Sequence, residues 1–346
     1  MRDGDLFSLD TPPIKLTPPI IMGSLFSGIG TSEMAIKRIT ENVQFRFISE
    51  VDVHALKSHE AIHGAIENLG DITQIDSIPY VDILHASPPC QDLSKAGKRK
   101  GVGEGTRSGL MYEIPRVIKN SLSHPKVVIM EQVPDLIYGI FAHHWREMVL
   151  LMEQLGYTVY ADVLNAKDYG IPQNRPRLFA VFISKDYSFM FPPRIQSTKT
   201  RNDYLQSENQ VSKYAWLSQS ILDWFMSEGT NRFPRRSRFM RNIFGDTKLA
   251  NTISTRSDQT TSNYVLYGKP EEIEWSIEHK AMHQNIEIRR FTPRECWRLM
   301  GINDIDYHKA AIVNTKTHLY KQAGNAIVVD VYEAILREMI DMRGVI

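Results

Sequence analysis

Short runs of apolar, β-branched and aromatic residues recur along the first half of the chain: Ile20 to Phe26, Phe45 to Ser49, Val81 to Ala86, Val127 to Met130 and Leu178 to Ile183. Each has the length of a buried strand. Between most of them the apolar spacing becomes helical, at Ser32 to Ile39, Val53 to Ile62, Leu110 to Ser121 and His143 to Gln154. Strand and helix in alternation build βαβ units. The pattern therefore predicts an α/β fold with a doubly wound, mostly parallel sheet covered by helices on both faces. Ligands of such a sheet gather at the carboxyl ends of its strands.

The alternation has limits at both ends. Four prolines between Thr11 and Pro19 disfavour regular structure, so residues 1–19 read as an extended lead-in. After Ile183 no sustained period is left until Thr292-Pro293-Arg294-Glu295, which has a helix N-cap, a first-turn proline and an early acid, and helix is expected again from Ala326 to Met342. This divides the chain into a sheet domain over 20–183, a smaller inserted domain over 184–290, and C-terminal helices over 291–346 that complete the first.

Composition narrows the class. With 346 residues, 42% hydrophobic and 23% charged, the chain has enough apolar material for a packed core without disulfides and is not disordered. No apolar run reaches the ~20 residues of a membrane span, and the opening MRDGDLFSLD lacks the order of a secretory signal, so the expectation is a cytoplasmic protein that contacts no membrane. The two cysteines, Cys90 and Cys296, fit a reducing compartment. The net charge is only +1, but Arg194 to Arg256 holds 11 basic against 5 acidic residues. Its densest piece, Arg232 to Arg241, carries five arginines, among them Arg235, Arg236, Arg238 and Arg241, interleaved with two phenylalanines. Phosphate and base contacts require such a composition, although a solvated basic loop shares it.

Candidate chemistry lies where the strands end. Phe26-Ser27-Gly28-Ile29-Gly30 falls between the first strand and a helix, where the backbone must turn tightly and come close to a ligand. Glu50, about 20 residues on at the end of the second strand, is placed to take both hydroxyls of a ribose, and Gly70-Asp71-Ile72 puts another acid at a third strand end near an adenine. These features indicate a nucleoside and leave NAD and S-adenosylmethionine open. The next strand runs into Ser87-Pro88-Pro89-Cys90-Gln91. Two prolines fix the angle at which the Cys90 thiol, the most nucleophilic side chain near neutral pH, is presented. Ser94, Lys98, Arg99 and Lys100 follow at once, which suits a mobile basic loop better than a core cysteine. Val128 to Val133 delivers Glu131 from an apolar strand, where desolvation favours holding a proton. Gln173-Asn174-Arg175-Pro176-Arg177 adds two guanidinium groups, for the site or for salt bridges.

In order and spacing, Phe26 to Gly30, Pro88 to Gln91, Glu131-Gln132-Val133, Gln173 to Arg177, Arg294 to Gly301 and Gln322-Ala323-Gly324-Asn325-Ala326 resemble the motifs of the DNA (cytosine-5) methyltransferases. The resemblance runs from Ile20 to about Ile340, outside the insertion. It implies a class I, Rossmann-like methyltransferase fold whose insertion is a target-recognition domain. It also implies S-adenosylmethionine as cofactor, S-adenosylhomocysteine as product, no metal, and a monomer acting on double-stranded DNA in a bacterial or phage-infected cell. Catalysis is then expected from Cys90, Glu131, Arg175 and Arg177. Cofactor contacts are expected from Phe26, Ser27, Gly28, Ile29, Gly30, Glu50, Val51, Asp71, Ile72, Pro89, Asn325 and Ala326. DNA contacts are expected from Ser94, Lys98, Arg99, Lys100, Arg235, Arg236, Arg238 and Arg241, with Thr252 to Arg256 as further candidates. Two positions depart from the family pattern: Gln132 stands where asparagine is usual, and Val51 where a bulky aromatic often follows the acid. A tRNA cytosine-5 methyltransferase on the same motifs, or a catalytically silent DNA-binding protein, would share much of this pattern.

Overall fold

The computed structural model describes residues 18–89, 107–227, 239, 242–243, 248–256, 263–279 and 285–341. Its strands are β1 (Ile20–Leu25), β2 (Val43–Ser49), β3 (Ile83–Ala86), β4 (Val127–Gln132), β5 (Tyr157–Asn165), β6 (Gln173–Asn174), β7 (Pro176–Ser184), β8 (Ala250–Asn251), β9 (Tyr264–Tyr267) and β10 (Glu287–Arg290). The helices of the sheet region are α1 (Thr31–Ile39), α2 (Val53–His63), α3 (Glu113–Lys119) and α4 (Ala142–Gln154), and the insertion adds α5 (Gln219–Met226) and α6 (Pro270–His279). The chain closes with α7 (Pro293–Arg298), α8 (Asp304–Val313), α9 (Lys316–Asn325) and α10 (Val329–Asp341). Among the described residues no helix is long and apolar enough to cross a membrane.

Six strands form one sheet in the order β2-β1-β3-β4-β7-β5. β1, β2, β3 and β4 are parallel, whereas β7 runs antiparallel to both β4 and β5. The sheet is therefore mostly parallel and doubly wound, as the alternation predicts. Alternate residues of one strand serve opposite faces. Val127 and Ile129 pack with α1 and the C-terminal helices, while Val128 and Met130 pack with α3 and α4. A strand read only as an apolar run is thus buried on both sides.

Three expectations are corrected. β5 was not anticipated, because Asp162 and Ala161 are exposed and its pattern is that of an edge. No strand ends at Gly70: Asn68 makes only an isolated bridge to Ile48, and Asp71 caps a short 3-10 turn. Helix does not begin at Ala326, which lies between α9 and α10 with extended backbone.

The inserted segment is anchored on the main core. Phe189, Tyr204, Ala250 and Ile253 pack into the sheet's core cluster, while Phe239, Ile243, Tyr264, Ile286 and Ile288 form a small cluster of their own. The return to the main body is fixed by a buried ion pair. Arg289 at the end of β10 donates to both carboxylate oxygens of Glu295 at 2.8 Å, and Glu295 closes the capping box with Thr292 that starts α7.

The C-terminal helix is held to α1 by a second cluster. Arg38 lies 3.4 Å from Asp330 and 3.3 Å from Glu333, and also donates to the Gly301 carbonyl. Burial, with Glu333 close by, pushes the Asp330 carboxyl up to about 6 from 3.8, against the pull of Arg38. The folded protein therefore binds this proton more tightly than the unfolded chain does. Ionised Asp330 costs stability above pH 6, and that cost fades as pH falls from about 6 toward 4. We expect Asp330→Asn to lack this increment, so that wild type gains about 3 kcal/mol relative to the variant across that window in urea titrations at stepped pH. Arg38→Ala leaves the buried Asp330 carboxylate without its guanidinium, while Glu333 keeps Arg337 at 2.7 Å, and should cost about 3 kcal/mol at pH 7.

Candidate active site

Two loops meet at the carboxyl ends of β1 and β2. The β1 loop turns through Phe26 at φ 56, Gly28 at φ 56 and Gly30 at φ 82, and Gly30 N–H closes it onto the Ser27 carbonyl at 3.0 Å. A Cβ added at Gly28 would meet no atom within 4 Å, so its backbone borders open space. Glu50 joins the loops. Its Oε2 accepts from Gly28 N–H at 2.8 Å, and its Oε1 accepts from the amides of Val51 and Asp52, each at 2.8 Å. A carboxylate has about four acceptor sites. Three are thus engaged by main chain, and the acid expected to take both ribose hydroxyls is first a tie between loops.

Asn68 was not foreseen as part of this edge. Its Oδ1 accepts from the amides of Glu50 and Gly70, both at 3.1 Å, while its Nδ2 donates to the Glu50 carbonyl at 3.1 Å. It brings Asp71 alongside Glu50 without any third strand. Asp71 itself is exposed and accepts from Thr73 through its backbone amide at 3.0 Å and its hydroxyl at 2.9 Å. Ile72 is buried in the core under this turn, and Val51 is exposed beside it. On the far side, Gln322 of α9 donates to the His54 carbonyl of α2 at 2.9 Å, which brings Asn325 and Ala326 back toward the β1 and β2 loops.

The second group forms where β3 and β4 end. Ser87 Oγ accepts from Glu131 N–H at 3.0 Å. Gln132, 2% exposed, donates from Nε2 to the Pro88 carbonyl at 2.8 Å and accepts from Val133 N–H at 3.0 Å. The Ser87-Pro88-Pro89 segment, which leads into Cys90, is therefore bound to the strand that carries Glu131. Glu131 is not a lone carboxylate at an apolar strand end: Arg177 Nε on β7 lies 3.0 Å from its Oε1.

A model of the C-5 cytosine-specific DNA methylase family matches residues 20–341. The chain belongs to that family. Among methylase relatives, it is 35% identical over 278 residues to the Type II methyltransferase M2.ScrFI of Lactococcus lactis subsp. cremoris, covering 79% of this chain and 71% of that protein. It is 31% identical over 319 residues to the Type II methyltransferase M.NlaX of Neisseria lactamica, covering 91% and 94%. The fold is similar to that of the Entamoeba histolytica methyltransferase EhMeth, with TM-score 0.70 at 15% identity over 94% of this chain and 99% of that one. It is likewise similar to the Schizosaccharomyces pombe Dnmt2 methyltransferase, TM-score 0.69 at 17% identity, over 93% and 98%. The protein has the class I methyltransferase fold.

The two arginines of the Gln173 to Arg177 motif do different things. Arg177 faces Glu131, but Arg175 is 3% exposed and faces the junction of the insertion. It donates to the carbonyls of Ile253 at 2.7 Å, Gly324 at 3.0 Å and Ala326 at 2.9 Å. Its guanidinium thus serves main-chain carbonyls at this junction, whereas Arg177 serves Glu131. Cys90, Ser94, Lys98, Arg99, Lys100, Arg235, Arg236, Arg238 and Arg241 lie outside the described residues. Cys296 is buried, and burial pushes its thiol far up, as befits core packing.

We expect Arg175→Ala to cost about 3 kcal/mol in chemical denaturation by leaving buried carbonyls unpaired. Arg177→Ala should change stability by only about 1 kcal/mol but lower methyl transfer about a hundredfold or more. Gln132→Asn, shorter by one methylene, cannot bridge Pro88 and Val133 as before. Its methyl-transfer rate should fall about fivefold, and a gain in rate would show that the longer amide impairs this enzyme.

Proposed function

We propose that the chain transfers a methyl group from S-adenosylmethionine to C5 of a flipped-out cytosine in a specific double-stranded DNA sequence, through a covalent bond between Cys90 and C6. The observation that carries this reading is the Glu131–Arg177 pair, tied through Ser87 and Gln132 to the segment that presents Cys90.

Cytosine C5 is a poor nucleophile until a group adds at C6. The Cys90 thiolate adds there, and Glu131 hydrogen-bonds the exocyclic amine and N3, neutralising charge that develops in the ring. Arg177 fixes the Glu131 carboxylate and lies on the side where the O2 carbonyl would sit. Loss of the C5 proton then returns electrons to the ring as the C6–S bond breaks, freeing Cys90. S-adenosylmethionine supplies the electrophilic methyl group. The Gly28 to Gly30 turn, Glu50, Val51, Asp71 and the Asn325-Ala326 end of α9 are the residues suited to hold it. The Ser27 hydroxyl, buried there with no hydrogen-bond partner, suits a polar ligand group. A base inside a duplex is out of reach, so the target leaves the stack, at a cost of a few kcal/mol. Basic residues between Gln91 and Gly109 contact the DNA, and the insertion reads flanking bases with some of Arg235, Arg236, Arg238 and Arg241. The Type II relatives support a modification enzyme of the restriction–modification kind in the cytoplasm; we propose that it acts as a monomer.

The test is a duplex of the target sequence with 5-fluorocytosine, whose fluorine cannot leave as the proton does. With S-adenosylmethionine present, wild type should form a denaturation-resistant adduct, and Cys90→Ser should form none while still folding and binding DNA. Turnover by Cys90→Ser would end the covalent mechanism. Methylation of tRNA but not of duplex DNA would move the substrate to RNA.

A further inference from the structure

Beneath the β1 turn lies a group of titratable side chains that the reaction does not use. His63, at the end of α2, places Nε2 3.3 Å from the Ile29 carbonyl and Nδ1 3.2 Å from Lys37 Nζ on α1. Lys37 ammonium is a donor only, so Nδ1 must accept. The proton of the neutral ring is then on Nε2, where it donates to Ile29. The ammonium is itself steadied over the Phe45 ring, 5.2 Å from its centroid. Burial pushes His63 down to about 3, with Lys37 and His59 acting the same way, so the ring stays neutral at working pH.

The turn rests directly on this ring. A Cβ at Gly30 would run into His63 Nε2 and into His59 Cδ2, so the glycine is needed for the imidazoles to reach the backbone. His59 packs beside His63 with ring centroids 4.7 Å apart, and its Nε2 lies 3.6 Å from Glu33, 1% exposed in the first turn of α1. Ser32 donates to the other Glu33 oxygen at 2.7 Å. Glu50 therefore grips the turn from the β2 side through Gly28, and His63 grips it from below through Ile29.

Resting on the cofactor site proposed above, we infer that His63, fixed in one tautomer by Lys37, is a positioning residue for S-adenosylmethionine. It holds the Ile29 peptide so that the Gly28 to Gly30 backbone is set before the cofactor arrives. Such a residue acts on cofactor affinity and leaves the chemistry at Cys90 alone.

The experiment measures S-adenosylmethionine and S-adenosylhomocysteine binding by calorimetry, with methyl transfer to unmethylated duplex DNA, for wild type, His63→Leu, His63→Gln and Lys37→Met. His63→Leu should raise Kd for both ligands and KM for S-adenosylmethionine about tenfold, with kcat within about twofold of wild type. His63→Gln keeps a donor near the Nε2 position and should recover most of the affinity. Lys37→Met, which frees the other tautomer, should fall between them. Wild-type affinity in His63→Leu, or equal loss in the leucine and glutamine variants, overturns the inference. If His63→Leu does not fold, the order of His63→Gln and Lys37→Met decides, and Lys37→Met binding as tightly as wild type overturns it. Failure of wild type to bind either ligand removes the cofactor reading itself, and this inference with it.

Discussion

One guanidinium joins stretches of chain far apart in sequence. Arg175 spends its donors on carbonyls of Ile253, Gly324 and Ala326, while its neighbour Gln173 donates to the Leu299 carbonyl at 2.7 Å and accepts from Ile253 N–H at 2.8 Å. Carbonyls at the ends of elements are costly to bury unpaired. Arg175 supplies donors to the insertion and to α9, and Gln173 supplies one to the end of α7, so all three converge on the start of β7. Arg177, two residues on, inherits its position from that junction, and Glu131 is oriented in turn. The orientation of Glu131 at this edge of the sheet thus rests on a network of bonds to main-chain carbonyls.

Much of the architecture was legible because it follows from apolar periodicity. A central strand has to be apolar on both faces, so β1, β3, β4 and β7 stand out as runs, and the Thr292 to Glu295 capping box is local chemistry that survives in the fold. β5 was not legible, since an edge strand carries polar residues such as Asp162 and its pairing partner is later in sequence. The site was legible in residue type and illegible in partnership. Glu131, Arg177 and Glu50 could be picked from their places at strand ends. Nothing local distinguishes Arg175 from Arg177, because Arg175 falls in the break between β6 and β7 and serves the junction, whereas Arg177 lies within β7 and meets Glu131. Asn68 and His63 escaped notice for the same reason: an asparagine in a loop or a histidine at a helix end has no meaning until the backbone groups it serves are known.

The departures from the family pattern also become intelligible as geometry. Gln132 is long enough to span from the end of β4 to the Pro88 carbonyl while still accepting from Val133. With Ser87 bound to the Glu131 amide, the approach to Cys90 is braced twice, on either side of one peptide. Val51 is 65% exposed and leaves the wall beside Glu50 low, where a bulkier aromatic would raise it.

The contact at Gly324 has a consequence for how such proteins diversify. A Cβ there would collide with the backbone of Ser254 and Thr255, so this mid-insertion stretch lies against α9 with no side chain between them. Two parallel residues of β6 and β8 register the same junction from the other side. Away from these posts, Phe239, Ile243, Tyr264, Ile286 and Ile288 pack in a cluster of their own, so that part of the insertion has room to change length and sequence. The arrangement works as a socket. A different segment can be seated there provided that the stretch at Ser254 and Thr255 keeps its close approach to α9, so the insertion can vary without redesign of the sheet.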